Sequence, residues 1–253
     1  MNRIDERFAK VKADGRKALI TFLTVGDPNM EVSEKAIYTM QEEGVDLIEL
    51  GVPFSDPAAD GPVIQRADER ALAQGVDIFK VFELVRKIRN NVEVPMVFLL
   101  YYNVMVQYGI EKFFKRCQET GVDGLIIPDL PYEESDEIKE YTEKYGVYQI
   151  SLVSPTSKDR IKNIAKDAKG FLYCISSLGV TGEKSSFVTN FDEFVGTIKK
   201  YTDVPACVGF GVSNGKQVKE LTKYFDGAIV GSAIVKSIAT GESVEERIIF
   251  VKK

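Results

Sequence analysis

The chain has 253 residues, a formal net charge of −5, three cysteines and no histidine. Without histidine it has no Ser-His-Asp triad, no Cys-His dyad, no histidine-bound zinc and no imidazole proton shuttle. Proton transfer near neutral pH therefore falls to carboxylates, Lys, Tyr or Cys, whose pKa values depend on their surroundings.

The same totals exclude several classes of partner. An acidic balance without any long basic run argues against nucleic acid and membranes as the main partners. The longest apolar stretches, such as residues 18–25, are too short to span a bilayer, and the largely charged segment 2–16 is unlike a secretion signal. Cys117, Cys174 and Cys207 lie in apolar segments without disulfide spacing. This pattern predicts reduced core thiols in a cytoplasmic protein.

Apolar and amphipathic segments alternate along the whole chain. An extra helix is expected over residues 2–11, where it would close the bottom of a barrel. Near-continuous apolar runs are typical of parallel strands covered on both faces. Eight such runs occur, at residues 18–25, 46–52, 94–101, 122–128, 147–153, 170–175, 204–210 and 226–230.

Between the strands the apolar residues recur at helical spacing. Such stripes occupy residues 81–88, 110–117, 161–168 and 191–198. Strands that alternate with helices predict a (β/α)8 TIM barrel in one domain over residues 1–253, with a doubly wound parallel sheet as the alternative.

Two predicted connections after strands are longer than a barrel needs. One covers residues 53–75 and the other residues 176–190. Both would emerge at the C-terminal face of the barrel, where active sites lie. Long loops in compact domains are commonly functional and often act as lids.

Three aspartates introduce strands in related local sequences. Asp46 and Asp123 each follow Gly-Val, and Asp226 precedes a glycine. Because they stand at the starts of strands, they are expected at the bottom of the barrel in a stabilising role.

Glu49 is the one charged residue near the carboxyl end of a predicted strand. Burial among apolar neighbours raises a carboxyl pKa towards neutrality, which suits a catalytic acid or base. The alternative is a structural glutamate that accepts hydrogen bonds from backbone N–H groups. Asp60 lies in the loop that follows, and an ionised carboxylate beside a raised-pKa acid would divide the tasks of acid–base catalysis. Its alternative is a turn-forming residue before Gly61.

Glycines mark the ends of the last two predicted strands. Gly211 follows the seventh strand, while Gly231 and Ser232 lead from the eighth strand directly into a helix. Glycines allow close approach of the backbone to an oxyanion, and a helix N-terminus offers unpaired N–H groups. Phosphate-binding loops after strands seven and eight are therefore predicted, with residues 179–182 placed to close over them. Ordinary turns are the alternative.

The absent residue types narrow the reaction. Without a lysine in the strands a Schiff-base aldolase is disfavoured, and without histidine a metal-dependent aldolase is disfavoured too. Metal-free, cofactor-free proton transfer on a small phosphorylated substrate remains. Isomerisation and carbon–carbon cleavage both fit this description.

The segment ELGVPFSDPAADGPVIQ at residues 49–65 closely resembles the signature of the tryptophan synthase alpha subunit family. This resemblance implies a TIM barrel that cleaves indole-3-glycerol phosphate into indole and glyceraldehyde 3-phosphate by a retro-aldol reaction. The similarity covers essentially the whole chain in order, through residues 26–28, 101–103, 179–182, 209–211 and 231–235.

The resemblance also implies roles for individual residues. Glu49 matches the catalytic acid/base, and Asp60 matches the aspartate that interacts with the indole nitrogen. Thr181 matches a lid residue that meets Asp60 when the loop closes. The other matches are to substrate-binding positions: Phe22, Leu99 and Tyr101 around the indole, Tyr173 in the site, and Gly182, Gly211, Gly231 and Ser232 at the phosphate.

The family implies a partner as well. Its alpha chain works with a beta subunit that carries pyridoxal phosphate and receives indole through a tunnel, in an alpha-beta-beta-alpha heterotetramer. The alpha chain itself is expected to hold no cofactor and no metal. Three alternatives stay open: a stand-alone lyase, a sugar-phosphate isomerase or epimerase, and a partner-binding module that has lost catalysis.

Overall fold

A curled parallel sheet wrapped by helices forms the fold in the computed structural model, which describes residues 1–157, 159–175, 190–209 and 211–252. Within these ranges the sheet has nine strands, and every strand pair is parallel. The strands are β1 (Ala18–Thr24), β2 (Leu47–Gly51), β3 (Met96–Leu99), β4 (Gly124–Ile126), β5 (Tyr148–Gln149), β6 (Leu152–Val153), β7 (Leu172–Ile175), β8 (Ala206–Gly209) and β9 (Gly227–Val230).

The sheet closes into a barrel at the segment that contains β5 and β6. These short strands stand at the two ends of the strand order, yet only Ile150 and Ser151 separate them along the chain. The N–H of Ile150 donates to the carbonyl of Leu125 (2.8 Å), and the N–H of Tyr173 donates to the carbonyl of Ser151 (3.0 Å). The predicted fifth strand, residues 147–153, is therefore one interrupted strand. The TIM-barrel prediction is confirmed.

Helices connect the strands. The described ranges contain a 3₁₀ helix (Tyr132–Glu134) and twelve α-helices. The helical stripes predicted from the sequence are confirmed by the helices at Ile78–Ile88, Ile110–Thr120, Ile161–Asp167 and Phe191–Lys199. The α-helices are α1 (Arg3–Ala13), α2 (Met30–Glu42), α3 (Pro62–Ala73), α4 (Ile78–Ile88), α5 (Tyr102–Tyr108), α6 (Ile110–Thr120), α7 (Asp136–Tyr145), α8 (Ile161–Asp167), α9 (Phe191–Lys199), α10 (Gly215–Leu221), α11 (Ser232–Thr240) and α12 (Val244–Lys252).

The extra N-terminal helix predicted over residues 2–11 is present as α1. It begins after Asn2, whose side-chain oxygen accepts the N–H of Ile4 (2.9 Å) and caps the first turn. Its buried face contributes Phe8, which packs on Phe171 with ring centroids 5.7 Å apart. Helix α1 thus contributes to the core inside the barrel.

The prediction of a long loop over residues 53–75 is wrong in its second half. Helix α3 begins at Pro62, directly after Gly61. Proline suits the first helical position because its φ is preset and its missing N–H would have no partner there. Ala67 and Ala71 are buried, so the helix has an apolar face that the turn-rich sequence before it obscured. The second long connection, predicted at residues 176–190, lies outside the described residues up to position 189.

The strands alternate between two layers of core. Leu47 belongs to the cluster inside the barrel, whereas Ile48 belongs to the cluster between strands and helices. This alternation follows from the two-residue period of a strand. It places Glu49 on the interior face of β2, near the carboxyl ends of the strands.

The three strand-start aspartates lie at the bottom of the barrel, and their contacts support the stabilising role predicted for them. Each accepts a hydrogen bond from the backbone N–H of the neighbouring strand that comes earlier in the chain, and each also pairs with a basic side chain. The three backbone bonds join Leu19 to Asp46 (3.0 Å), Met96 to Asp123 (2.9 Å) and Ala206 to Asp226 (2.9 Å).

Replacing Asp123 by alanine is expected to lower the free energy of unfolding by about 3–5 kcal/mol. The substitution would leave the N–H of Met96 and the guanidinium of Arg89, which is only 11% exposed, without this acceptor. Urea denaturation measures the change. Asp136→Ala is the matched control, because the Asp136 side chain is 87% exposed and its loss should cost less than about 0.5 kcal/mol. Equal losses in the two variants would contradict the expected role of Asp123.

Two further predictions concern the cysteines and the membrane. Cys117, Cys174 and Cys207 are all free and buried, as predicted. Across the described ranges, no helix has the length and apolar character needed to cross a membrane.

Candidate active site

Glu49 is buried in the middle of β2, and no basic residue of the described ranges pairs with its carboxyl group. Its backbone stands between Phe22 of β1 and Val97 of β3, and the residue is 1% exposed. Burial alone raises the pKa of Glu49 to about 8. Within the described chain its Oε1 atom has no hydrogen-bond partner. The alternative of a structural glutamate satisfied by backbone N–H groups does not account for this oxygen.

Asp60 is held by the hydroxyl group of Tyr101. That hydroxyl donates to Oδ2 of Asp60 (2.8 Å) and accepts the N–H of Ala59 (2.9 Å). The Tyr101 ring stacks on Phe54 with centroids 5.0 Å apart. Burial raises the pKa of Asp60, and the Tyr101 hydrogen bond opposes the rise. The N–H of Asp60 also donates to the carbonyl of Pro57 (3.0 Å), so the residue forms a turn and presents a buried carboxylate.

Tyr173 of β7 shares this environment. It is 7% exposed, and burial together with the charges of Glu49 and Asp60 raises the pKa of its hydroxyl. These electrostatic interactions indicate that the Tyr173 hydroxyl group lies near the carboxyl groups of both Glu49 and Asp60. Gly209 makes room for the ring, since a Cβ at that position would lie 2.5 Å from the Tyr173 hydroxyl oxygen.

An apolar wall borders the acidic groups. Phe22 is 3% exposed and packs in a small cluster with Ala67 of α3 and Val235 of α11, against which the half-buried Leu99 also packs. Phe22 and Leu99 were identified from the sequence, whereas the helix residues were missed. The helical spacing of Val63, Ala67 and Ala71 indicates this helix in the sequence. The turn-forming residues directly before it made the whole segment look like a loop.

Gly51→Ala is expected to disturb this wall. A Cβ at Gly51 would lie 2.5 Å and 2.7 Å from two ring atoms of Phe22. Because the ring is buried, we expect a loss of about 1–3 kcal/mol in unfolding free energy and a raised KM for a substrate that binds against this wall. Urea denaturation and steady-state kinetics measure both effects.

Gly196→Ala is the matched control for the Gly51 substitution. Gly196 lies in α9, and a Cβ there meets no atom within 4 Å. Alanine in a helix should be more stable than glycine by about 0.5–1 kcal/mol. A Gly51→Ala chain as stable as wild type would show that the Phe22 ring moves without cost.

The predicted phosphate positions lie at the ends of β8 and β9. Gly211 has a φ of +77°, a conformation that favours glycine, and a Cβ there would meet nothing within 4 Å. Gly231 precedes α11 as its N-cap, and Ser232 is the first residue of that helix. The first N–H groups of a helix have no partner within it. A Cβ at Gly231 would lie 3.6 Å from Cβ of Phe22, which joins this end of the site to the apolar wall.

The remaining predicted positions, Thr181 and Gly182, lie outside the described residues. Within those residues, the structure brings a raised-pKa carboxyl group, a buried carboxylate on a tyrosine hydroxyl, an apolar wall and a helix N-terminus to the carboxyl ends of the strands. Such a site can donate a proton, stabilise a developing positive charge and bind an anion. No group of three His, Cys, Asp or Glu that could hold a metal ion occurs in the described ranges.

Comparisons with known proteins point to one family. The profile of the tryptophan synthase alpha chain family matches residues 8–252. The tryptophan synthase alpha chain of Thermoanaerobacter sp. (strain X514) is 49% identical over 252 residues, covering 100% of this chain and 96% of that protein.

Solved structures agree with the sequence comparisons. Tryptophan synthase subunit alpha from Legionella pneumophila superposes with a TM-score of 0.86 at 34% identity, covering 99% of this chain and 96% of the other. A chain of the Mycobacterium tuberculosis tryptophan synthase gives a TM-score of 0.89 at 35% identity, with 99% and 95% covered.

Proposed function

Because this chain belongs to the tryptophan synthase alpha chain family, whose members are lyases acting on indole-3-glycerol phosphate, we propose that Glu49 and Asp60 carry out that cleavage here. The observation that supports this most strongly is the buried carboxyl group of Glu49, whose Oε1 atom has no hydrogen-bond partner among the described residues and whose pKa is raised to about 8. A group with this pKa holds its proton at neutral pH and can still exchange it, as an acid–base catalyst must.

Glu49 transfers the proton that allows the carbon–carbon bond to break. Its carboxylic acid donates a proton to C3 of the indole ring, which turns the ring into an acceptor for the electron pair of the breaking bond. The side-chain hydroxyl of the substrate loses its proton as its carbon becomes the aldehyde of glyceraldehyde 3-phosphate. The carboxylate of Glu49 accepts a proton in that step, so the residue ends the cycle protonated.

Asp60 stabilises the charge that this protonation creates. Positive charge develops at the indole N–H when C3 is protonated, and a buried carboxylate facing the N–H stabilises that charge more than water would. The hydrogen bond from Tyr101 to Oδ2 (2.8 Å) fixes the carboxylate and favours its ionised form. Burial and the charge of Asp60 raise the pKa of Tyr101, so the hydroxyl remains a donor.

The rest of the site orients the substrate. Phe22, Leu99 and Tyr101 form the side of the site suited to the flat indole ring, with Tyr173 near both acids. At the other end, the backbone of Gly211 and the N-terminus of α11 at Gly231 suit the phosphate. Ser232, Thr181 and Gly182 complete the proposed phosphate and lid positions.

A partner completes the proposal. The family name denotes an alpha chain, and a beta subunit carrying pyridoxal phosphate would consume the indole in a cytoplasmic alpha-beta-beta-alpha heterotetramer. The cleavage chemistry in this chain uses carboxyl groups, a tyrosine hydroxyl and backbone N–H groups, and it includes no step that needs pyridoxal phosphate or a metal.

Release of indole from indole-3-glycerol phosphate tests the proposal. We expect the purified chain to release indole and to do so faster when a beta subunit of the family is added. Full activity without any response to the beta subunit would favour a stand-alone lyase. Turnover of pentose phosphates alone would favour an isomerase or epimerase, and binding to the beta subunit without turnover would favour a non-catalytic module.

A further inference from the structure

Asp68 is a second buried carboxyl group beside the site, and the mechanism above does not use it. It lies in α3, eight residues after Asp60, and is 5% exposed. In the described chain it takes part in no ion pair, although buried carboxylates are normally paired or hydrogen-bonded. Helix α3 is tied to the loop before it, because the side-chain amide of Gln65 donates to the carbonyl of Asp60 (2.9 Å).

The groups that face Asp68 are mostly acidic. Asp60 from the preceding loop, Asp27 from the loop after β1 and its neighbour Glu69 all interact with it electrostatically. Arg70, two residues after Asp68 in α3, is already paired, because it makes two hydrogen bonds to Asp27 (2.7 and 2.8 Å).

Among the described residues, the other elements packed around Asp68 bring no unpaired positive charge to it. Tyr101, which follows β3, interacts with both Asp60 and Asp68 and contributes a neutral hydroxyl. Strand β1 has no charged residue, and α11 packs against α3 through Val235. The charged residue of α11, Lys236, is exposed, and so is Arg66 on α3.

Asp60 and Asp68 are both buried, and the protein interior screens charges less than water does. If both carboxyl groups were ionised, they would therefore repel each other strongly. Asp60 has a hydrogen-bond donor, Tyr101, that favours its charged form, whereas no cation of the described chain favours the charged form of Asp68. The proton of the pair therefore belongs on Asp68. Burial first, and then the charge of Asp60, raises the pKa of Asp68 to about 8.

We propose that Asp68 is a positioning residue for Asp60: it retains its proton while Asp60 is ionised, so the two buried carboxyl groups present one negative charge to the substrate. Loss of that proton adds a second charge beside Asp60. The repulsion then displaces the Asp60 carboxylate from the Tyr101 hydroxyl, and this displacement weakens its interaction with the indole N–H. The proposal rests on the role proposed above for Asp60.

The pH dependence of kcat/KM for indole release tests this role. In the wild-type chain both Glu49 and Asp68 lose protons near pH 8, so log kcat/KM should fall with a limiting slope of −2 at alkaline pH. Asp68→Asn removes one of these ionisations, and the limiting slope should become −1. Asp68→Ser gives the same test if the asparagine variant folds poorly, and Glu69→Gln, an exposed neighbour on α3, should keep the slope of −2.

A slope that is the same in wild type and Asp68→Asn overturns the proposal. A purely structural role for Asp68 would lower the rate at all pH values and leave the slope unchanged.

Carbon-13 NMR of labelled aspartate carboxyl groups gives a second readout that does not need activity. We expect one carboxyl resonance that titrates near pH 8 and is absent in Asp68→Asn. In Asp60→Asn that resonance should titrate about one pH unit lower, because the neighbouring charge is gone. A midpoint that does not move would contradict the coupling. A coupled titration in a chain that releases no indole would instead refute the proposed function alone.

Discussion

Replacing Glu49 by glutamine is expected to lower kcat for indole release at least ~10³-fold, within the range supplied by a positioned acid–base group. The amide has nearly the shape of the protonated carboxyl group but cannot donate and recover a proton. Binding of a substrate analogue should survive, because Phe22 and the backbone at Gly231 are unchanged. Steady-state kinetics and isothermal titration separate the two effects, and turnover near the wild-type rate would exclude Glu49 as the proton donor.

The same substitution has an effect on stability that depends on pH. Glu49 has an ordinary pKa of 4.5 and a pKa of about 8 when folded. Its contribution is fully present below pH 4.5 and is lost as the pH rises to about 8, because only the folded chain still holds the proton there. The gap corresponds to about 5 kcal/mol. Glutamine does not titrate, so the decline between pH 5 and pH 9 in urea denaturation should be clearly smaller in Glu49→Gln.

Asp60→Asn is expected to lower kcat/KM by ~10²–10³-fold, the effect of removing one positioned electrostatic group. The asparagine keeps the size of the side chain and can still accept the Tyr101 hydrogen bond, but it has no negative charge for the indole N–H. The loss should appear mainly in kcat, because the charge on the indole develops only in the transition state.

Asp56→Asn provides the matched control for Asp60. Asp56 lies in the same loop, four residues earlier, and is exposed. Measured on the chain without a beta subunit, its substitution should leave kcat/KM within about twofold of wild type. If Asp60→Asn also stayed within that range, Asp60 would be a turn-forming residue only.

The strands and most helices follow from local patterns in the sequence. Apolar runs of strand length that alternate with stripes at helical spacing predict the barrel. A parallel strand that is covered on both faces needs apolar side chains on both faces, so its sequence is a near-continuous apolar run. The interruption of the fifth strand could not be predicted. Ile150 and Ser151 look like ordinary strand residues, and only the hydrogen bonds to Leu125 and from Tyr173 show where the pairing changes sides.

The acids of the site differ in how clearly the sequence indicates them. A charged residue at the end of an apolar strand is costly, so Glu49 stands out from the sequence alone. Asp68 does not stand out, because it lies in a segment with turn-forming residues before it and charged residues on either side. Its burial depends on how α3 packs against β1 and α11, a contact that local sequence does not encode.

The aspartates at the bottom of the barrel have a consequence at its top. A strand that slips by one residue turns all its side chains to the opposite face. The bond from Leu19 to Asp46 sets how β1 lies against β2, and that alignment brings Phe22 level with Glu49, both facing inward. A one-residue slip would turn Glu49 outward against the helices and bring Ile48 to the interior face of the barrel. We therefore expect Asp46 to support the proposed catalysis by setting the register of the strand that carries Glu49.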